Sequence, residues 1–439
     1  MTEATKPATH AWPTTIATAA LGGAIGGSLA AALVIGFTEI LKGMLSVVSR
    51  QHTWVLILVP LIGLALSVLV LYGFGLSTDT SSGPGWAAAW RTFAPRAARS
   101  DLTGDMVSSA GEEEHFPWRL APIRMFAMIA TVGFGAAMGT EAPAAYIGVA
   151  TGTALGHRWR LLLRPAAVGG GAAGVAALMG IPLLGTAYIL ELGRRHHAPL
   201  NAERVTAALA GGFVGWLLHI ALRVDLLRLV VPHEPPHTFH QAMITALLIG
   251  LLSGIITALS GAAIYRAKFF PVHPFLRLAA SGMVLGAAAV ALATIAAPSA
   301  AVGPGGGAIS WVESTPALPL TVFAVDILRA IATISTAAAG GCGGLFVPFL
   351  AIGDLAGRVF APSLQVPNDL AGAAGAAGGV SGGYHLPFTA IAMVLGQGGP
   401  YLAMLTCLAT VGVAGLAGKV VASLVGHAYI EKRPEQLKN

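Results

Sequence analysis

Long apolar runs recur along this chain, and they constrain it more than any other feature. Stretches at 16–36, 53–75, 245–265, 278–297 and 399–417 each approach or exceed the length needed to cross a bilayer. A spanning helix needs roughly 20 apolar residues. In hydrocarbon every backbone polar group must be satisfied internally, which favours helices. Only 10% of the 439 residues are charged and 55% are hydrophobic, against about 25% charged in soluble domains. The sequence therefore predicts an all-α polytopic membrane protein. Its polar tails are expected at 1–15 and 430–439.

The formal net charge of +6 is spread over loops such as "HRWRLLLR". Orientation of the loops and contact with lipid headgroups account for it. No basic stripe with interleaved aromatics points to nucleic acid. Cys342 and Cys407 both stand in apolar segments, read as small buried hydrophobes. Two cysteines alone do not make a metal site, and no cofactor is expected. Glycine occurs 57 times; Gly22 with Gly26 and Gly23 with Gly27 repeat at the spacing that lets helices approach closely in lipid.

A shift of 205 residues lays the chain on itself. Gly139, Pro143, Ile147, Gly148 and Gly152 fall on Gly344, Pro348, Ile352, Gly353 and Gly357. The same offset carries Gly170, Gly174, Val175, Pro182 and Leu190 onto Gly375, Gly379, Val380, Pro387 and Leu395. This predicts two repeats, 16–222 and 241–429, joined by the polar, proline-punctuated stretch 223–240. Membrane repeats of this kind often place a substrate at mid-membrane, where interrupted helices meet.

The Gly-x3-Pro elements at 139–143 and 344–348 are candidates for such interruptions. Proline in a first helical turn loses nothing by lacking an N–H. A helix beginning inside the membrane leaves its first N–H groups unpaired and carries a positive dipole end. Two such ends together suit a small anion. Glu141 is a carboxylate within this apolar setting, and intramembrane acids are functional by default. The structural alternative pairs it with Arg124 or Arg160.

These segments resemble the CLC family of chloride channels and chloride/proton antiporters. "GTEAP" at 139–143 is similar to the family's G-K/R-E-G-P, and "GGLFVP" at 343–348 to its G-x-F-x-P. "RLAPIRMF" at 119–126, "IPLLGTAYILE" at 181–191 and "TCLATVGVAGLAGK" at 406–419 follow in family order. The resemblance covers about 95–425 and implies two inverted-topology repeats with broken, tilted helices. It also implies an integral multi-pass protein of the plasma (inner) membrane, a homodimer in the bilayer, and chloride and protons as the species handled.

By resemblance, Glu141 is the gating glutamate, occupying the outer anion site when charged and leaving it when protonated. Ser100 takes the position of the anion-binding serine, although "RSDLT" at 99–103 lacks the family's flanking glycines and proline and brings Asp101 close. Ordinary helix capping is the alternative role for Ser100. Backbone N–H groups of Ala142, Leu345 and Phe346 are the other implied anion contacts. Two departures bear on coupling. The paired inner acids are reduced to Glu191 followed by Leu192, and the inner-gate tyrosine position holds Ala422, with Tyr429 seven residues on.

The sequence therefore predicts flow of small monovalent anions, chloride first, with weak or no proton coupling. A chloride/proton antiporter with an unorthodox inner proton path is the alternative; fluoride and nitrate are the alternative substrates. "HEPPH" at 233–237 matches a zinc-protease pattern, but Pro235 and Pro236 forbid the helix it requires. "GVSGG" at 379–383, near His385, keeps an intramembrane hydrolase as a rival of another class. Such an enzyme needs a nucleophile and base in hydrogen-bonding contact.

Overall fold

A computed structural model describes residues 11–77, 100–195, 197–223, 229–270 and 272–426. Tyr429 and most of the two expected polar tails lie outside the described residues. Among the described residues the regular structure is helical, with one isolated β-bridge besides. In chain order the helices begin with α1 (Ala11–Val48), α2 (Thr53–Ser77), α3 (Leu102–Ser108) and α4 (Ala121–Met128). Next come α5 (Glu141–Arg158), α6 (Leu163–Met179), α7 (Pro182–Arg194) and α8 (Ala202–Ala221). The second half holds α9 (Phe239–Phe269), α10 (Pro274–Ile295), α11 (Gly306–Ser314) and α12 (Pro319–Ala338). It ends with α13 (Phe346–Leu364), α14 (Asn368–Gly383), α15 (Pro387–Gln397) and α16 (Tyr401–Val425).

Nine helices among the described residues are long and apolar enough to cross a membrane. Four of them, at 160–179, 202–221, 319–338 and 346–364, lie outside the five strongest apolar runs of the sequence. Arg160, Arg204, Asp326, Arg329, Asp354 and Arg358 dilute their apolar signal. The protein is an integral, multi-pass, all-helical membrane protein.

The chain packs as two compact units. One comprises Met1–Ile35, Met106–Arg119 and Ala145–Val224; the other comprises Gly36–Asp105, Leu120–Ala144 and Asp225–Asn439. Glycine sets the packing inside each. In the first unit a Cβ on Gly148 would fall on the carbonyl oxygen of Gly170, and one on Gly152 would fall on that of Ala166. In the second, Gly353 stands in the same relation to Gly375, and Gly357 to Ala371. Each pair follows its counterpart at an offset of 205, so the sequence repeat is also a repeat of helix contact. The α1 glycines serve the same end: Gly26 lies against the Ala166 backbone, and Gly27 against Gly211.

Backbone against backbone leaves no flexible atom to yield, so overpacking here costs about 1–3 kcal/mol. Gly353→Ala should lower the thermal unfolding midpoint of the detergent-purified protein. Gly36→Ala, where nothing lies within 4 Å of the added carbon, should leave the midpoint unchanged or raise it slightly.

Candidate functional site: two helix ends around a carboxylate

The site starts with two extended glycines. Gly139 N–H donates to Gly344 O at 2.8 Å, and Gly344 N–H donates back to Gly139 O at 2.9 Å. This short bridge ties together the segments that lead into α5 and α13. Proline follows inside each first turn, at Pro143 and Pro348. Both helices therefore begin within the protein interior, with their first N–H groups directed at a shared space.

Glu141 fills that space. It is the first residue of α5 and is 0% exposed. Its Oε1 accepts a hydrogen bond from Phe346 N–H at 2.6 Å, the first residue of α13. The N–H groups of Val347 and Ala142 also act on the carboxylate. Oε2 has no partner with good hydrogen-bond geometry. Such short backbone donors to a carboxylate are charge-assisted and strong. Room for the group comes from the bridge glycines: a Cβ on Gly139 would overlap Oε2, and one on Gly344 would overlap Oε1.

Among the described residues Glu141 makes no ion pair. Arg124, one of its alternative partners, is paired with Asp105 instead, both nearly buried. The Glu141 side chain is thus held at the helix ends, with no ion pair among the described residues. A cavity of about 670 Å³ reaches the residues flanking the carboxylate, Thr140 and Val347. Lys42 and His233 line it together with Glu313 and Asp369, so its lining holds no excess of cationic side chains. The "HEPPH" segment is non-helical, as its prolines require, and His233 pairs with Asp369 at 2.9 Å. Among the described residues no cluster could hold a metal ion.

The other residues singled out in the sequence divide into two groups. Ala142, Leu345 and Phe346 are buried and stand at the two helix starts beside Glu141. Ser100 is buried just before α3, but the side chain that caps α3 is Asp101, whose Oδ1 accepts from Gly104 N–H at 3.1 Å. Asp101 therefore spends its carboxylate on the helix start. Glu191 and Leu192 are buried on α7, and Ala422 is partly buried near the end of α16. Leu192 lines a cavity of about 30 Å³ together with Glu113 and Arg204. Glu113 is committed there to Arg204 at 2.6 Å and to Arg164 at 3.3 Å. Ser381 Oγ donates to Val411 O at 2.8 Å, a packing contact between α14 and α16.

Two sets of polar residues escaped the reading of the sequence. Asp326, Asp354 and Arg358 lie buried in α12 and α13, with Arg358 Nε donating to Asp354 Oδ1 at 2.6 Å. The signal for them was the same as for Glu141, a bare charge inside an apolar helix. The second set is a hydroxyl pair, Thr103 and Tyr384, 2.9 Å apart and 281 residues distant in sequence. No local pattern announces it.

The family model described as "Voltage gated chloride channel" matches residues 84–419. The chain is 29% identical over 346 residues to a "Chloride/fluoride channel protein" of Pseudomonas syringae pv. tomato, covering 74% of this chain and 75% of that one. It is 24% identical over 431 residues to a "H(+)/Cl(-) exchange transporter ClcA" of Yersinia pestis, covering 93% and 84%. Among solved structures, a CLC-type fluoride/proton antiporter superposes with a TM-score of 0.74 at 21% identity, covering 97% of this chain and 98% of the other. A slow cyanobacterial Cl−/H+ antiporter gives 0.68 at 20% identity. Helix starts meeting around a buried carboxylate, the 205-residue repeat and these matches agree: the chain belongs to the voltage gated chloride channel (CLC) family of anion transport proteins.

Proposed function

We propose that this protein moves small monovalent anions across the membrane, chloride first, through the space that the Glu141 carboxylate now fills. The observation that carries this reading is the 2.6 Å hydrogen bond from Phe346 N–H to Glu141 Oε1, made without an ion pair. Donors that hold a carboxylate oxygen hold a halide equally well, because both are compact acceptors of negative charge. Side chain and anion therefore compete for the N–H groups of Phe346 and Ala142, with Leu345 and the Ser100 hydroxyl as further contacts. Protonation weakens the carboxylate as an acceptor and releases the donors to the anion.

Coupling to protons is weak or absent in this reading. A relay from the inner side needs a titratable group near position 192, where Leu192 has none. Glu113 shares its cavity but is engaged by two arginines. Ala422 removes a side chain that would close the inner end. A homodimer in the bilayer, each subunit with its own pathway, completes the proposal.

Fluoride is the second reading, favoured by the name of the Pseudomonas relative. Flux from proteoliposomes loaded with chloride, bromide, nitrate or fluoride decides between the two. Chloride should pass fastest; fluoride outrunning it would select the second reading, and cation flux without anion flux would refute both.

Gating follows a definite sign. Anion flux should rise as pH falls and Glu141 takes up a proton. Glu141→Gln should keep the flux and lose its pH dependence; a variant that is silent, or still pH-dependent, contradicts the gate.

The coupling claim has its own assay. Wild-type proteoliposomes under a chloride gradient should show no uphill proton movement. Pumping at a fixed stoichiometry would establish the antiporter alternative instead.

A further inference from the structure

Tyr384 is fully buried at the C-terminal end of α14. His385, immediately after it, adopts a left-handed conformation with φ 54°, and the chain then turns into α15. Outside glycine that conformation is uncommon, and it marks a bend at which Tyr384 is held. The Tyr384 ring packs edge-on against Phe346, centroids 6.2 Å apart, and against Phe349 at 6.1 Å. Phe346 is the residue whose N–H binds the Glu141 carboxylate.

Packing alone does not explain a tyrosine here. Phenylalanine would make the same edge-on contacts and would not bring a hydroxyl into the interior. A buried hydroxyl costs free energy unless hydrogen-bonded, and this one reaches the Thr103 hydroxyl at 2.9 Å. Thr103 is 4% exposed and stands three residues after Ser100. Two hydroxyls in contact carry two O–H protons, and each oxygen also accepts. The pair can turn one O–H toward an anion while the other keeps the mutual bond.

We propose that Tyr384, oriented by Thr103, donates a hydroxyl hydrogen bond to the transported anion beside the first turn of α13, and so helps set which anion is preferred. This rests on the anion-transport reading above. It also gives the hydroxyl missing at Ala422 a different origin, on another helix. The ligand class is a small monovalent anion that accepts strong hydrogen bonds; Thr103 is a positioning residue.

The test compares wild type, Tyr384→Phe, Thr103→Val and Thr103→Ser, each as purified full-length protein. Binding of fluoride, chloride and nitrate is measured by calorimetry, and their relative flux in liposomes. Tyr384→Phe keeps the ring and its packing. Loss of one hydrogen bond to a charged group should weaken halide binding about tenfold, and nitrate, the weaker acceptor, should lose less. The flux preference among the three should flatten accordingly. Thr103→Val should move in the same direction by a smaller factor, and Thr103→Ser should match wild type. Thermal midpoints are recorded for all four proteins. Tyr384→Phe with a lowered midpoint but unchanged affinities and flux ratios would overturn the proposal, reducing the pair to a structural staple. A wild type that binds and moves no anion would defeat the transport reading itself, which is a separate outcome.

Discussion

The two hydrogen bonds between Gly139 and Gly344 fix where α5 and α13 begin, and the rest of the site depends on that placement. A helix that starts in the interior has N–H groups with no partner in its own chain. In hydrocarbon those groups cannot turn to water. Bringing two such ends together concentrates the difficulty, and a single anion then relieves several donors at once. Glu141 is the anion supplied by the chain itself. Its burial would be costly on its own; the donors of Phe346, Val347 and Ala142 offset part of that cost.

Such a site demands close helix packing around it, because a loose fit would admit water and shift the donors. Glycine provides the fit. Gly148 against Gly170 and Gly353 against Gly375 are backbone-to-backbone contacts, made once in each repeat. Each α-helix that begins at the bridge is thus anchored one to two turns further along. The glycines of 139 and 344 have another purpose, because the atom they lack would occupy the carboxylate's own volume. Packing and binding therefore draw on the same residue type for different physical reasons.

Much of this was legible in the sequence because the governing rules are local. Apolar length gave the membrane class, and Gly-x3-Pro at a constant offset located both interior helix starts. Glu141 stood out as a charge where lipid tolerates none. The four weaker spans were harder to read, since Asp326, Asp354, Arg358 and their neighbours interrupt the apolar pattern. Arg358 is tolerated there by its pairing with Asp354, and pairing is a property of the folded helix face. The Thr103–Tyr384 contact joins residues 281 apart, so only the fold could supply it. Helix capping by Asp101 is a matter of side-chain direction, which spacing does not determine. The commitment of Glu113 to Arg164 and Arg204 likewise emerges only once three separate segments meet.

The central claim is that the Glu141 carboxylate and the transported anion compete for the same helix-end donors. Equilibrium binding of chloride to the purified protein, measured across pH for wild type and for Glu141→Gln, tests it most directly. Competition predicts that wild-type affinity strengthens as pH falls, whereas the glutamine variant binds tightly at every pH. Equal affinities for the two proteins, with the same dependence on pH, would contradict the account.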